Sequence, residues 1–165
     1  MECGNRMSYF ETATSQKTDE HDTPIEFFEP ISRAVGGFDL DPCASQHTDL
    51  AETNLTKDDG GLRQWSGKVW MNPPYSEVAD WMRHAETQHA HGFTDLIVCL
   101  VFARTSTQWF HKYVSKADLV CFVEGRLTFG DADNTAPAPS MVVVYGNYTG
   151  RLEQTLEKQG MVVEP

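Results

Sequence analysis

The sequence predicts an α/β fold: one open, mostly parallel sheet whose last strand runs antiparallel, with helices packed on both faces. Three observations carry that expectation. Short apolar runs of strand length alternate with segments whose apolar residues recur at helical spacing. The run TDLIVCLVF at 94–102 is almost continuously apolar, the pattern of a strand buried on both faces. The final two strand-like runs are joined by a loop without a helix, so they lack the crossover that a parallel pair needs.

Taken in order, residues 1–19 are polar and are expected to form a flexible arm before a single domain over 20–165. Thr23-Pro24 opens a helix, with Thr23 as N-cap, Pro24 in the first turn and Glu26 three residues after the cap. Ile25, Phe28, Ile31 and Val35 form its apolar stripe, and Gly36-Gly37 stops it. FDLDP at 38–42 is a short buried strand; 43–67 reads as irregular, with a turn at Asp58-Asp59-Gly60-Gly61. KVWM at 68–71 is a second strand, ended by Asn72-Pro73-Pro74-Tyr75 because proline cannot continue a central strand. A helix follows from Ser76 or Glu77 to about His91, burying Val78, Trp81, Met82 and Ala85. After the strand at 94–102, residues 105–113 predict a helix capped by Thr105 or Ser106. Strands at 117–125 and 140–148 flank a loop rich in Asp, Ala and Pro, and a short helix at 151–159 carries Leu152 and Leu156 on one face.

Composition narrows the function classes. An apolar fraction of 40% in 165 residues supports a folded core. No signal peptide opens the sequence and no apolar run approaches membrane-spanning length, so a cytoplasmic protein without a membrane partner is expected. The four cysteines, at 3, 43, 99 and 121, form no CxxC and suit free thiols in a reducing compartment. His89 and His91 sit at a helix end with no third ligand in a recognisable pattern, so no metal site is expected. The net charge of −11 argues against a broad basic surface of the kind that usually grips DNA phosphates. It is compatible with DNA through a small basic patch on an acidic body, or through adaptation to a salt-rich cell interior, which suits a chain with only six lysines.

Asn72-Pro73-Pro74-Tyr75 carries the chemistry. An adenine-type amine is a poor nucleophile because its lone pair is delocalised into the ring. An Asn side-chain oxygen and the next backbone carbonyl can hold its two hydrogens and restore that lone pair, and acceptors fixed in advance stabilise the charge that develops on nitrogen. The prolines fix the backbone and remove competing donors. Tyr75 offers a flat face on which an extruded base can stack. The plain alternative is a surface turn, since Asn-Pro and Pro-Pro are common loop dipeptides.

The surroundings of the motif make it specific. TPIEFFEPI at 23–31, FDLDPCAS at 38–45, DDGGL at 58–62, VWMNPPY at 69–75, ARTSTQWFH at 103–111, GRLTF at 125–129 and APAPSMVVVY at 136–145 occur in this order. In these stretches, over roughly residues 20–148, the chain resembles the phage-type DNA N6-adenine methyltransferases, a compact group within the Rossmann-like methyltransferases. The resemblance implies S-adenosylmethionine as methyl donor, DNA as partner (duplex DNA by expectation), and Asn72, Pro73, Pro74 and Tyr75 as the catalytic motif. It implies donor contacts from the first strand end, at Asp39, Asp41 and Pro42, although Cys43-Ala44-Ser45 stands where typical methyltransferases carry a glycine-rich turn. Thr23, Pro24 and Phe27 resemble a donor-contacting segment; an ordinary helix cap and core contact is the alternative.

Further residues are read from their own chemistry. Asp58 or Asp59 could accept from the donor's ribose hydroxyls or adenine amine, with a slight preference for Asp59. Arg104, with Thr105, Ser106 and Trp109, is expected on a DNA-facing or pocket-rim element, and Arg126 on a phosphate. The rival functions are methylation of RNA or of a glutamine amide, which the same clamp would fit, and a non-catalytic protein that binds donor or DNA. A chain this small leaves little room for a separate recognition domain, so specificity would come from short loops or from a homodimer.

Overall fold

The computed structural model describes residues 22–129 and 135–165. The expected arm at 1–19 and the tip of the 130–140 loop lie outside them. Seven strands form one sheet: β1 (Leu40–Asp41), β2 (Thr53–Asn54), β3 (Gly67–Met71), β4 (Thr94–Phe102), β5 (Leu119–Val123), β6 (Ser140–Gly146) and β7 (Gly160–Val163), in the spatial order β2-β1-β3-β4-β6-β5-β7. Pairings from β2 through β4 are parallel, whereas β6 pairs antiparallel with both β4 and β5, and β7 antiparallel with β5. The expected α/β architecture is present, and the strand at 140–146 is antiparallel as anticipated. It is inserted between β4 and β5.

The helices are α1 (Ile25–Val35), α2 (Val78–Ala90), α3 (Gln108–Tyr113) and α4 (Gly150–Glu157). They divide between the two faces. Alternation along β4 sends Leu96, Val98, Leu100 and Phe102 toward α1 and α4, where Phe28, Ile31, Leu152 and Leu156 meet them. Ile97, Cys99 and Val101 face α2 and α3 and pack with Trp81, Met82, Ala85 and Tyr113. Burial on both sides explains the continuous apolar run of this strand. The register Val98↔Val144, Cys99↔Val143 and Leu100↔Val142 keeps each β6 residue on the same face as its partner. Among the described residues, no helix is long and apolar enough to cross a membrane.

Several local expectations are corrected. Thr23 does not cap α1: Pro24 occupies the cap position, with no side-chain cap bond. Ile25, the first helical residue, is exposed, and Phe27 and Phe28 take the inward positions of the first turn. The predicted stop holds, with Gly36 at φ 78° in the left-handed conformation that glycine tolerates. Lys68 Nζ donates to the carbonyls of Val35, at 2.8 Å, and Gly36, at 3.5 Å, tying the end of α1 to β3. α3 is capped by Thr107, whose hydroxyl accepts from Phe110 N at 3.4 Å, and not by Thr105 or Ser106.

Two strands escaped the sequence reading. β2, in the segment taken as irregular, is two residues long and little buried, so it has no apolar signature. β7 follows α4 so closely that its Met-Val-Val run merges with the end of the predicted helix.

Candidate active site

The parallel strands end along one edge of the sheet, where ligands bind in open α/β folds. Asp41 ends β1, and Asn72 follows β3 directly. Both line one cleft, together with Asp22, Thr23, Cys43, Ser45, Thr48 and Pro74; it opens to solvent.

Asp41 is 2% exposed. Burial pushes its carboxyl up to about 7, partly offset by the Cys43 N–H, which donates to Oδ1 at 3.2 Å. The loop after Asp41 lacks glycine and is held another way. Ala44 N donates to Leu55 O at 2.8 Å, and Ser45 N donates to the Thr48 hydroxyl at 3.1 Å. Ser45, Thr48 and Cys43 were not singled out from sequence as lining residues; their only signal was position, directly after a strand ending in Asp-Pro.

The Asn72 motif leaves the sheet as a tight corner. Pro73 and Pro74 are buried, and the Pro74 carbonyl accepts Glu77 N at 3.1 Å, closing a 3₁₀ turn over Tyr75–Glu77 that leads into α2. Asn72 Nδ2 donates to the Thr23 hydroxyl at 3.0 Å. The Tyr75 ring stacks on Phe102 from the end of β4, centroids 3.7 Å apart and planes 20° from parallel. Arg104 is exposed, its guanidinium carbon 5.9 Å from the centroid of the Phe102 ring. Phe102 was read from sequence only as a strand residue, although its place at a strand end was the available signal.

A second, wider hollow is lined by Lys57, Asp58, Leu62, Glu77, Asp80 and Trp81. Asp58 faces it. Asp59, slightly preferred from sequence, is committed locally: its Oδ2 accepts from the Thr56 hydroxyl at 2.7 Å and from Thr56 N at 3.3 Å, which holds its carboxyl below the usual range. Pro42 and Trp81 meet at Gly61. A Cβ there would stand 2.0 Å from the Pro42 carbonyl and 2.7 Å from the Trp81 ring, so only glycine fits at the wall where Pro42 of the first strand's loop meets Trp81 of this hollow.

The remaining predicted residues are placed differently. Asp39 accepts Lys68 N at 2.7 Å and is not among the cleft-lining residues. Phe27 belongs to the core on the α1 side, and Trp109 to the core on the α2 side. Pro24 caps α1, and Thr105 is exposed in the turn before α3. Arg126, just beyond β5, donates to the Ala136 carbonyl at 2.9 Å.

The chain matches the profile of the DNA N-6-adenine-methyltransferase (Dam) family over residues 11–162. It belongs to that family. Among relatives of the same description, it is 32% identical over 109 residues to the DNA N-6-adenine-methyltransferase of Escherichia phage T1, a match covering 64% of this chain and 45% of the relative. It is also 32% identical over 117 residues to that of Haemophilus phage HP1 (strain HP1c1), covering 66% of each. The match thus spans less than half of the first relative and just under two thirds of the second. Membership in the Dam family agrees with the resemblance carried by the ordered motifs, and the family match extends beyond Tyr148 to include α4 and most of β7.

Proposed function

We propose that this chain transfers a methyl group from S-adenosylmethionine to the exocyclic N6 of adenine in DNA. The observation that carries the reading is the sharing of one cleft by a buried carboxyl, Asp41, and the amide of Asn72 at adjacent strand ends. A desolvated carboxyl raised to about 7 suits a ligand that brings its own positive charge, which the donor carries on its sulfur and its amino group. Asp41 and the Cys43–Thr48 loop would hold the methionine end. The hollow of Asp58, Glu77, Leu62 and Trp81 would hold the nucleoside end, with carboxylates accepting from ribose hydroxyls.

When bound, the donor supplies an electrophilic methyl on a positively charged sulfur, which keeps the bonding pair as the methyl leaves. The protein supplies orientation and acceptors. Asn72 Oδ1 and the Pro73 carbonyl accept the two hydrogens of the amine, returning the nitrogen lone pair for attack. The proton shed afterwards goes to water without a dedicated base, because an N-methylated adeninium is strongly acidic. The target adenine must leave its helical stack to reach a strand end, where the Tyr75 ring would stack against it. Duplex DNA with an extruded base is the substrate this implies. Arg104, whose guanidinium carbon lies 5.9 Å from the centroid of the Phe102 ring, would meet a flanking phosphate.

The test is transfer of labelled methyl from S-adenosylmethionine to unmethylated duplex DNA across salt concentrations up to molar, with nucleoside analysis of the product. Label in N6-methyladenine with wild type and none with Asn72→Ala supports the reading. Bound donor with no labelled DNA at any salt overturns it; label found on RNA or on a glutamine amide redirects it.

A further inference from the structure

Thr23 stands directly before the proline that caps α1, yet its side chain makes no cap bond. It is 9% exposed, and its hydroxyl instead accepts Asn72 Nδ2 at 3.0 Å, from a residue 49 positions along the chain. Both residues line the cleft that also holds Asp41. We propose that Thr23 is a positioning residue for methyl transfer: it holds the Asn72 amide in place and fixes its plane. The inference rests on the methyltransferase reading of the site.

The physical need is one of direction. The amide oxygen must point at the amine; with the amide plane tilted away, that acceptor is lost and the nitrogen keeps its lone pair in the ring. A hydroxyl held at a helix start that is itself packed into the core, bonded to the amide at 3.0 Å, restrains that tilt. The hydroxyl is anchored by its neighbours: Phe27 and Phe28 bond through their N–H groups to the Pro24 carbonyl, and both rings are buried. The beginning of α1 is thereby joined to the end of β3.

Thr23→Val keeps the shape and removes the hydroxyl; Thr23→Ser keeps the hydroxyl. The full chain carrying each change is compared with wild type for single-turnover methyl transfer, for the donor's Kd and for thermal midpoint. The expected result is a fall of about 10- to 100-fold in the transfer rate for Thr23→Val, the range expected for a misplaced reacting group. Donor Kd should stay within about twofold and Thr23→Ser should recover most of the rate. Thr23→Ala, which adds no bulk, replaces the valine variant if that variant does not fold.

An active wild type with a fully active Thr23→Val overturns the inference alone. So does a loss confined to donor Kd, which would make Thr23 a donor contact, or a serine variant as slow as the valine one, which would make shape the cause. A wild type that binds donor and labels no adenine overturns the reading of the site and this inference with it.

Discussion

The ring of Tyr75 lies face to face with that of Phe102, centroids 3.7 Å apart. One residue closes the Asn72 motif and the other closes the long central strand β4. The stack therefore ties the motif to a central strand buried on both faces, and Arg104 stands beside it. Replacing Phe102 by Leu removes the aromatic face while keeping much of the volume. We expect kcat/KM for DNA to fall about tenfold, the worth of a lost aromatic pair, with donor affinity unchanged and thermal stability modestly lower. Steady-state kinetics beside donor titration separates these effects.

Asp41 predicts two opposite pH trends. In the unfolded chain its carboxyl ionises near 4, and in the folded chain near 7. Between these values the folded state holds the extra proton, so stability is fully present below about 4 and falls as pH rises toward about 7. Asp41→Asn removes this penalty. The variant should exceed wild type in unfolding free energy by on the order of 4 kcal/mol at pH 8, and by less at pH 5. Donor binding moves the other way, since a cationic ligand favours the carboxylate. Wild-type affinity should rise about tenfold per pH unit below 7 and level off above it, and the Asn variant should bind weakly throughout. Thermal unfolding and donor titration across this range read out both trends.

Gly61 admits no side chain, because a Cβ would meet the backbone carbonyl of Pro42. Gly61→Ala must push the two segments apart or distort both. We expect a loss of about 1–3 kcal/mol in stability, as for an overpacked core, and a larger relative loss of donor affinity than of DNA affinity. Equal losses of both ligands would point to general unfolding instead.

The adjacent aspartates should separate cleanly. Asp58→Asn should raise the donor's Kd about tenfold, the cost of a lost charge-assisted hydrogen bond to a hydroxyl. Asp59→Asn removes a bond within the Thr56 turn and should leave donor affinity near wild type. The reverse order would return the ribose role to Asp59.

How much of this was legible follows from where each signal resides. β4 and β6 were readable because burial on both faces requires unbroken apolar runs. The Asn72 motif was readable because chemistry constrains four successive residues. The two-residue β2 was not, since it is defined by a neighbour, β1, and by the backbone bonds Thr53 N to Asp39 O and Leu55 N to Asp41 O. The same holds for side chains. Nothing local distinguishes Asp58 from Asp59 until the Thr56 hydroxyl claims one of them. Thr23 carries a sound local cap pattern, and the competing bond comes from a residue 49 positions away. Phe27 and Trp109, expected at a donor contact and on a DNA-facing or pocket-rim element, lie in the cores on the two faces of the sheet, a placement that no local pattern announces.

The position of β6 has a consequence for how the molecule is made. This strand follows both β4 and β5 in the sequence, yet it sits between them and provides the whole antiparallel register of β4 from Leu96 to Phe102. A nascent chain that has emerged only as far as residue 139 holds every side chain of the cleft and lacks the partner on one side of its central strand. Closing that gap joins segments roughly forty residues apart, a non-local step of the kind that slows folding. The cleft thus stands beside an incomplete sheet until Ser140–Gly146 has emerged, and a nascent chain ending before Ser140 would leave β4, the neighbour of the strand that bears the Asn72 motif, as an open, unpaired edge.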